Sequence, residues 1–180
     1  MKRCSWVNNN PLYIKYHDEE WGVPSYDDNY LFEMLLLESF QAGLSWECIL
    51  NKRESFRKAF DNFNYEKISK YDDKKINELI NNKSIIRNKL KINAAINNAK
   101  VFMNIQKDFK TFSKYIWSFT NNKQIVHNRI ITSNNLSDKI SKELKKKGMK
   151  FVGTTIIYSY LQAIGIVNDH EKECFKKKNS

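Results

Sequence analysis

Glycine and proline are scarce in this 180-residue sequence, five and two respectively, and cysteine occurs three times. So few chain breakers argue against a low-complexity or disordered chain, and a hydrophobic content of 41% provides for a core. Three cysteines, at positions 4, 48 and 174, cannot all pair with one another, which leaves burial or metal binding as their uses in a reducing compartment. Long apolar runs are missing too. None approaches the ~18 residues of a membrane helix, and "MKRCSWV" lacks the apolar stretch of a secretory signal. The expectation is a soluble, cytoplasmic protein with no membrane contact, no obligate protein partner, and a single domain spanning residues 1–180.

What the sequence has in excess is positive charge. Lysine and arginine number 31 against 20 acidic residues, a net charge of +11. A basic surface attracts phosphate groups over long range. Lysine, asparagine and isoleucine are nevertheless abundant along the whole chain, so charge alone leaves the partner open.

The periodicity predicts an all-α plan. After an N-terminal strap, "YDDNYLFEMLLLESFQAGLSW" opens with Asp27 and Asp28 as acidic caps and is apolar on most of its turns, which predicts a central buried helix. "SWECILNKRESFRKAF" follows with Ser45 as N-cap. Shorter helices are expected near 64–70 and 72–81, a long one from Ser84, and another over "TFSKYIWSF". "TNNKQIVHNRIITSNN" is the least regular stretch and the only place where extended structure is expected. The chain closes as helix, hairpin, helix.

That hairpin carries the first functional signal. One helix ends at Gly148, a favourable left-handed position, and a second begins after Gly153. The turn "GMKFVG" would aim unpaired backbone N–H groups at an anion, with the helix dipole adding to the attraction. Lys139, Lys142, Lys145, Lys146, Lys147 and Lys150 crowd its approach. An αα-hairpin with a solvated charged face explains the same residues without a ligand.

Two further features call for partners. Glu38 falls on the stripe Leu31, Leu35, Glu38, Ala42 of an otherwise apolar helix, so its carboxylate faces the interior and needs a donor or an ion pair. His170 and Cys174, one helical turn apart, can point at one metal ion, but two ligands do not close a site; Cys4 and His17 near the start could supply the others. On residue types alone, buried cysteines and surface histidines remain the plainer reading. Cys48 reads as a core residue and His127 as an exposed loop residue.

The blocks "RCSWV…PLYIKYHDEEWGVP", "LFEMLLLESFQAGLSW", "SIIRNKLKINAAINNA" and "KKKGMKFVGTTIIYSYLQAIGIVNDH" resemble, in order and over essentially the whole chain, those of the bacterial DNA-3-methyladenine glycosylase I family. The resemblance implies a helix-hairpin-helix DNA glycosylase fold of two helical lobes, with the hairpin unit at about 137–165. It also implies a base pocket between the lobes and a structural zinc ion on Cys4, His17, His170 and Cys174 joining the chain ends. The implied partner is double-stranded DNA containing 3-methyladenine.

By the same resemblance, Glu38 is the catalytic carboxylate that reads the edge of the excised base, and Tyr16 and Trp46 are the aromatic residues that sandwich it. Trp6, Tyr13 and Trp21 rank second as base-binding residues. Gln41 and Leu44, in "QAGLS", are candidate wedge residues, and Lys150, Gly153 and Thr154 the hairpin's phosphate contacts. Many relatives in the wider superfamily carry Gly-x-Gly in the hairpin, a Schiff-base lysine two residues beyond, and a V-D-x-H motif. Here Phe151 stands at the first glycine, Thr155 at the lysine and Asn168 at the aspartate, which implies a monofunctional enzyme. Asp169 is given no catalytic role. Two other classes fit parts of the pattern: a non-catalytic zinc-stabilised DNA-binding protein and a zinc-stabilised protein-interaction module.

Overall fold

The computed structural model describes residues 1–127 and 131–177. Among these the regular structure is almost all helical. The helices are α1 (Pro11–Glu19), α2 (Asp28–Gln41), α3 (Trp46–Ala59), α4 (Tyr65–Ile68), α5 (Asp73–Asn81), α6 (Lys89–Phe109), α7 (Phe112–Ser118), α8 (Asn135–Lys146) and α9 (Thr154–Ala163). Local chemistry explains most boundaries. Asp27 accepts from the Asn29 N–H to cap α2, Ser45 from the Cys48 N–H to cap α3, and Asn88 from the N–H groups of Leu90 and Lys91 to cap α6.

α2 is the axis of the molecule. From Leu31 to Phe40 every residue except Glu33 is buried, because α3, α6, α7 and α9 all pack against it. α6 gathers α4, α5 and α7 on one side; α1 packs on α3 on the other, and the α8–α9 hairpin leans on α2 through α9. Full burial of each large apolar side chain here contributes roughly 1.5–3 kcal/mol. Glu38, 2% exposed, is the exception to that rule.

Three local expectations need correction. The N-terminal strap contains a helix, α1, started by the Asn10 cap and by Pro11 in its first turn, where a missing N–H costs nothing. The long helix begins at Lys89, not at Ser84, because the Asn88 cap falls after the extended turn 84–88. Extended structure exists at Ile125–Val126 (β1), but its partner is Val167–Asn168 (β2), and the two form a parallel ladder. Of the irregular stretch, residues 128–130 lie outside the described residues.

The hairpin forms as a braced turn. Gly148 has φ +96°, and Phe151 has φ +53°, so the position where superfamily relatives carry the first glycine keeps its left-handed backbone. Asn98 exchanges two 2.8 Å hydrogen bonds with the backbone of Lys150, Asn97 donates to the Gly148 carbonyl, and Ser141 to that of Val152.

Candidate active site and metal centre

A cavity of about 300 Å³ opens where α1, α2, α3 and α9 meet, lined by Ser5, Trp6, Tyr13, Tyr16, Trp21, Glu38, Gln41, Trp46, Ser159 and Gln162. The structure therefore brings together Glu38, all five aromatic residues singled out for base binding, and Gln41. The tryptophans and tyrosines that line it form two ring-contact groups. Trp6 lies 4.9 Å from Trp21 and 5.1 Å from Tyr13, centroid to centroid. Tyr16 and Trp46 lie 5.3 Å apart and tilted by 54°, so a flat ring entering between them must part them or lie across them.

Glu38 lies among these aromatic residues. Among the described residues its Oε2 has no hydrogen-bond partner, and neither has the Trp46 Nε1. Burial alone raises the Glu38 carboxyl to about 8, so the side chain is protonated at neutral pH until a cation or donors arrive. Burial, with Glu38 nearby, also holds the Tyr16 phenol far above its ordinary range. Orphaned buried polar groups cost free energy, and here two of them belong to residues that line one cavity.

The loop after α2 joins Gln41 to Trp46, both of which line the cavity, whereas Leu44 does not. Gly43 has φ +81°, and Leu44, 39% exposed, projects from the loop. A residue that the sequence reading missed fixes this loop. Lys91, buried on α6, donates from Nζ to the carbonyls of Phe40 at 2.8 Å and Ala42 at 2.6 Å, taking over unpaired acceptors at the C-terminus of α2. Ser159 and Gln162 were missed as well; on the apolar helix α9 only their polarity marks them.

At the hairpin, no side chain among the described residues caps α9, so its first N–H groups are left without a side-chain acceptor there. Gly153 has an ordinary φ of −63°, and a Cβ there would meet nothing within 4 Å. Among the described residues nothing demands glycine here. Lys150 is exposed beside this turn, while the Thr154 hydroxyl is engaged with that of Ser137 at 2.8 Å. The lysine approach is thinner than expected, because Lys139 lies over the Phe119 ring and Lys147 over Phe109 and Tyr115.

The chain ends meet in a second cluster. The ligand atoms of Cys4, His17, His170 and Cys174 all lie within 4.8 Å of one another, and all four residues are buried. Cys4 Sγ and Cys174 Sγ are each 3.5 Å from His170 Nδ1, and Cys174 Sγ is 3.3 Å from His17 Nε2. Tetrahedral Zn²⁺, with Zn–S about 2.3 Å and Zn–N about 2.0–2.1 Å, separates sulfur and nitrogen ligands by roughly 3.6 Å, so the cluster has the right span.

The surroundings aim the ligands. His17 Nδ1–H donates to Asp18 at 2.7 Å and His170 Nε2–H to the Trp21 carbonyl at 3.0 Å, which turns the unprotonated Nε2 and Nδ1, respectively, to the cluster side, where His17 Nε2 also accepts from the Cys4 N–H at 3.4 Å. Arg3 clamps Asp18, whose carboxyl is lowered to about 2 by that contact first of all. Desolvation lowers both histidines, His170 to about 4, and so keeps them neutral. It pushes the Cys4 thiol up to about 12, a state that a bound dication would reverse. The four residues fit a metal ion, and their number leaves no position for water.

Two residues differ from expectation. Cys48 is half-buried in the first turn of α3, outside the core. His127 is no free loop residue: its Nδ1 donates to Asp169 at 2.9 Å, and its N–H to the Asn168 carbonyl.

Residues 6–177 match the family model described as methyladenine glycosylase. The chain is 46% identical over 179 residues to DNA-3-methyladenine glycosylase 1 of Escherichia coli (strain K12), covering 97% of this chain and 96% of that protein. It is 42% identical over 177 residues to DNA-3-methyladenine glycosylase of Haemophilus influenzae, with 96% of each covered. Among solved structures, a 3-methyladenine DNA glycosylase I superposes with TM-score 0.95 at 44% identity, covering 98% of this chain and 100% of that one. The Staphylococcus aureus enzyme, solved to explain 3-methyladenine recognition, gives TM-score 0.95 at 35% identity over 100% and 99% of the two chains. With its fold and nearly its whole length in common with these proteins, the chain belongs to the methyladenine glycosylase family.

Proposed function

We propose that this chain is a DNA-3-methyladenine glycosylase that hydrolyses the N-glycosidic bond of 3-methyladenine in alkylated double-stranded DNA, the first step of base-excision repair. The observation that carries the reading is the buried, unpartnered carboxyl of Glu38 in a cavity walled by Trp6, Tyr13, Tyr16, Trp21 and Trp46.

The damaged nucleotide is already cationic, so its base leaves as a neutral molecule without prior protonation. The nucleotide turns out of the duplex into the cavity. Aromatic faces attract the electron-poor ring, each cation–π contact contributing ~0.5–2 kcal/mol. Glu38 ionises against the cation and accepts from its edge, which favours the charged base over neutral adenine. As the glycosidic bond breaks, its electron pair neutralises the base; water adds to the sugar carbon and gives up a proton. Thr155 offers no amine for an imine with the sugar, so the enzyme is monofunctional and leaves the strand intact.

Leu44 and Gln41 fill the gap left by the extruded nucleotide, and the hairpin around Lys150, Gly153 and Thr154 holds the phosphate backbone. Cys4, His17, His170 and Cys174 bind one Zn²⁺, which ties the chain ends together and takes no part in base release. The chain acts as one unit over 1–180, with its helix-hairpin-helix at 137–165, in the cytoplasm where its DNA substrate lies. A purely architectural DNA-binding role gives no use to a buried carboxyl beside an unpartnered indole. The deciding assay is release of free 3-methyladenine from methylated duplex by the purified protein.

A further inference from the structure

Gln162 enters the cavity from α9 and is 8% exposed. Its side-chain Nε2 donates to Asp169 Oδ2 at 2.8 Å. A carboxylate accepts and cannot donate, so this contact fixes which end of the amide is which: nitrogen towards Asp169, oxygen away from it. Among the described residues no hydrogen bond reaches Gln162 Oε1, and this atom is not among those sealed from the cavity without a partner.

Asp169 itself is fully buried and saturated. Tyr158 Oη donates to Oδ2 at 2.7 Å, and His127 Nδ1 to Oδ1 at 2.9 Å. The ladder between β1 and β2 sets His127 beside it, with the His127 N–H on the Asn168 carbonyl at 3.1 Å. Helix α9 holds the glutamine from the other side, its backbone carbonyl accepting from Gly22 at 2.9 Å. The side-chain amide is thus held at its nitrogen, and turning it over would set its oxygen against a carboxylate oxygen.

We infer that Gln162 is a specificity-determining residue, its side-chain oxygen a fixed acceptor for an N–H on the edge of the bound base, and that Asp169 is the positioning residue that keeps it so. The inference rests on the base-binding reading of the cavity given above. An acceptor that cannot rotate distinguishes an amino edge, which donates to it, from a carbonyl edge, which repels it. The exocyclic amino group of an adenine-type base satisfies it; a purine with oxygen at that position leaves two acceptors face to face.

Affinities of the metal-loaded protein for free 3-methyladenine and for 3-methylhypoxanthine, which carries a carbonyl in place of the amino group, test this by tryptophan quenching. The parent should prefer the amino base. That preference, taken as a ratio and so independent of the fraction folded, should fall about tenfold in Gln162→Met, which keeps the length and removes the acceptor. It should fall similarly in Asp169→Asn, where the glutamine amide is free to turn. Tyr158→Phe removes another donor to Asp169 and should leave the ratio unchanged. An unchanged ratio in Gln162→Met overturns the inference, and Gln162→Met decides alone should Asp169→Asn not fold. An equal loss in Tyr158→Phe also overturns it, by tracing the effect to general loosening. A parent that binds neither base overturns the reading of the cavity and this inference with it, whereas a parent that binds 3-methyladenine with an insensitive ratio overturns this inference alone.

Discussion

The Nε2 of His170 donates to the carbonyl oxygen of Trp21 at 3.0 Å, and the two rings stand edge to face with centroids 4.6 Å apart. Trp21 lines the cavity and His170 belongs to the Cys/His cluster, so one hydrogen bond joins that cluster to the wall of the cavity. Trp6 repeats the link, 5.2 Å from the His17 ring. The metal is expected to shape the pocket through these contacts while remaining outside the chemistry.

Metal analysis should therefore find one zinc per chain. Cys174→Ala should cost on the order of 3 kcal/mol, a fall in melting midpoint of roughly 6–12 °C, and should change tryptophan emission as Trp6 and Trp21 loosen. Active protein with no bound metal would contradict this.

Gly153 permits an unusually clean test of the hairpin. Its backbone is unstrained and nothing crowds its Cβ position, so Gly153→Val should hold stability to within about 0.5 kcal/mol. If phosphate approaches the free N–H groups of α9, the same change should weaken binding to all duplex sequences alike, and binding should fall steeply with salt. Unaltered duplex affinity in the folded variant would remove the clamp.

Thr155 is exposed in the first turn of α9 and carries no amine. Borohydride added during turnover should trap no protein–DNA adduct, and strand cleavage should need a separate enzyme or alkali. A robust adduct, visible as a shifted band on a denaturing gel, would contradict a monofunctional enzyme.

The Glu38 carboxyl, raised by burial from 4.5 to about 8, sets a pH dependence. Between those values the folded state holds a proton that the unfolded state has lost, so stability should decline as pH rises through this window. Glu38→Gln should flatten that decline, as thermal melts across the range would show. Catalysis runs the other way: the ionised carboxylate favours the cationic base, so kcat/KM should rise with pH and level off above about 8. A flat profile from pH 5 to 9 would take Glu38 out of the reaction.

Legibility followed the kind of force involved. The caps at Asp27 and Ser45 and the buried character of α2 could be read because they are local and periodic. The Asn10–Pro11 start of α1 was equally local and was overlooked. The β1–β2 ladder could not be read, since its partners lie some forty residues apart and each is only two residues long. In the site, Glu38 stood out as a charge on an apolar helix, and Lys91 and Gln162 obey the same logic on α6 and α9. Their partners, the carbonyls of Phe40 and Ala42 and the carboxylate of Asp169, come from distant parts of the chain, and no spacing announces them.

The central claim is that Glu38 reads a cationic base inside an aromatic cavity, and single-turnover release of 3-methyladenine from methylated duplex tests it most directly. It should be measured for the parent and for Glu38→Gln, alongside the affinity of each for undamaged duplex. Loss of one charge-assisted hydrogen bond, about 1.5–3 kcal/mol, should slow release by about one to two powers of ten. Duplex affinity, which the proposed function assigns to the hairpin, should not change. A parent that releases no 3-methyladenine, or a Glu38→Gln variant that releases it at the parent's rate, would contradict the account.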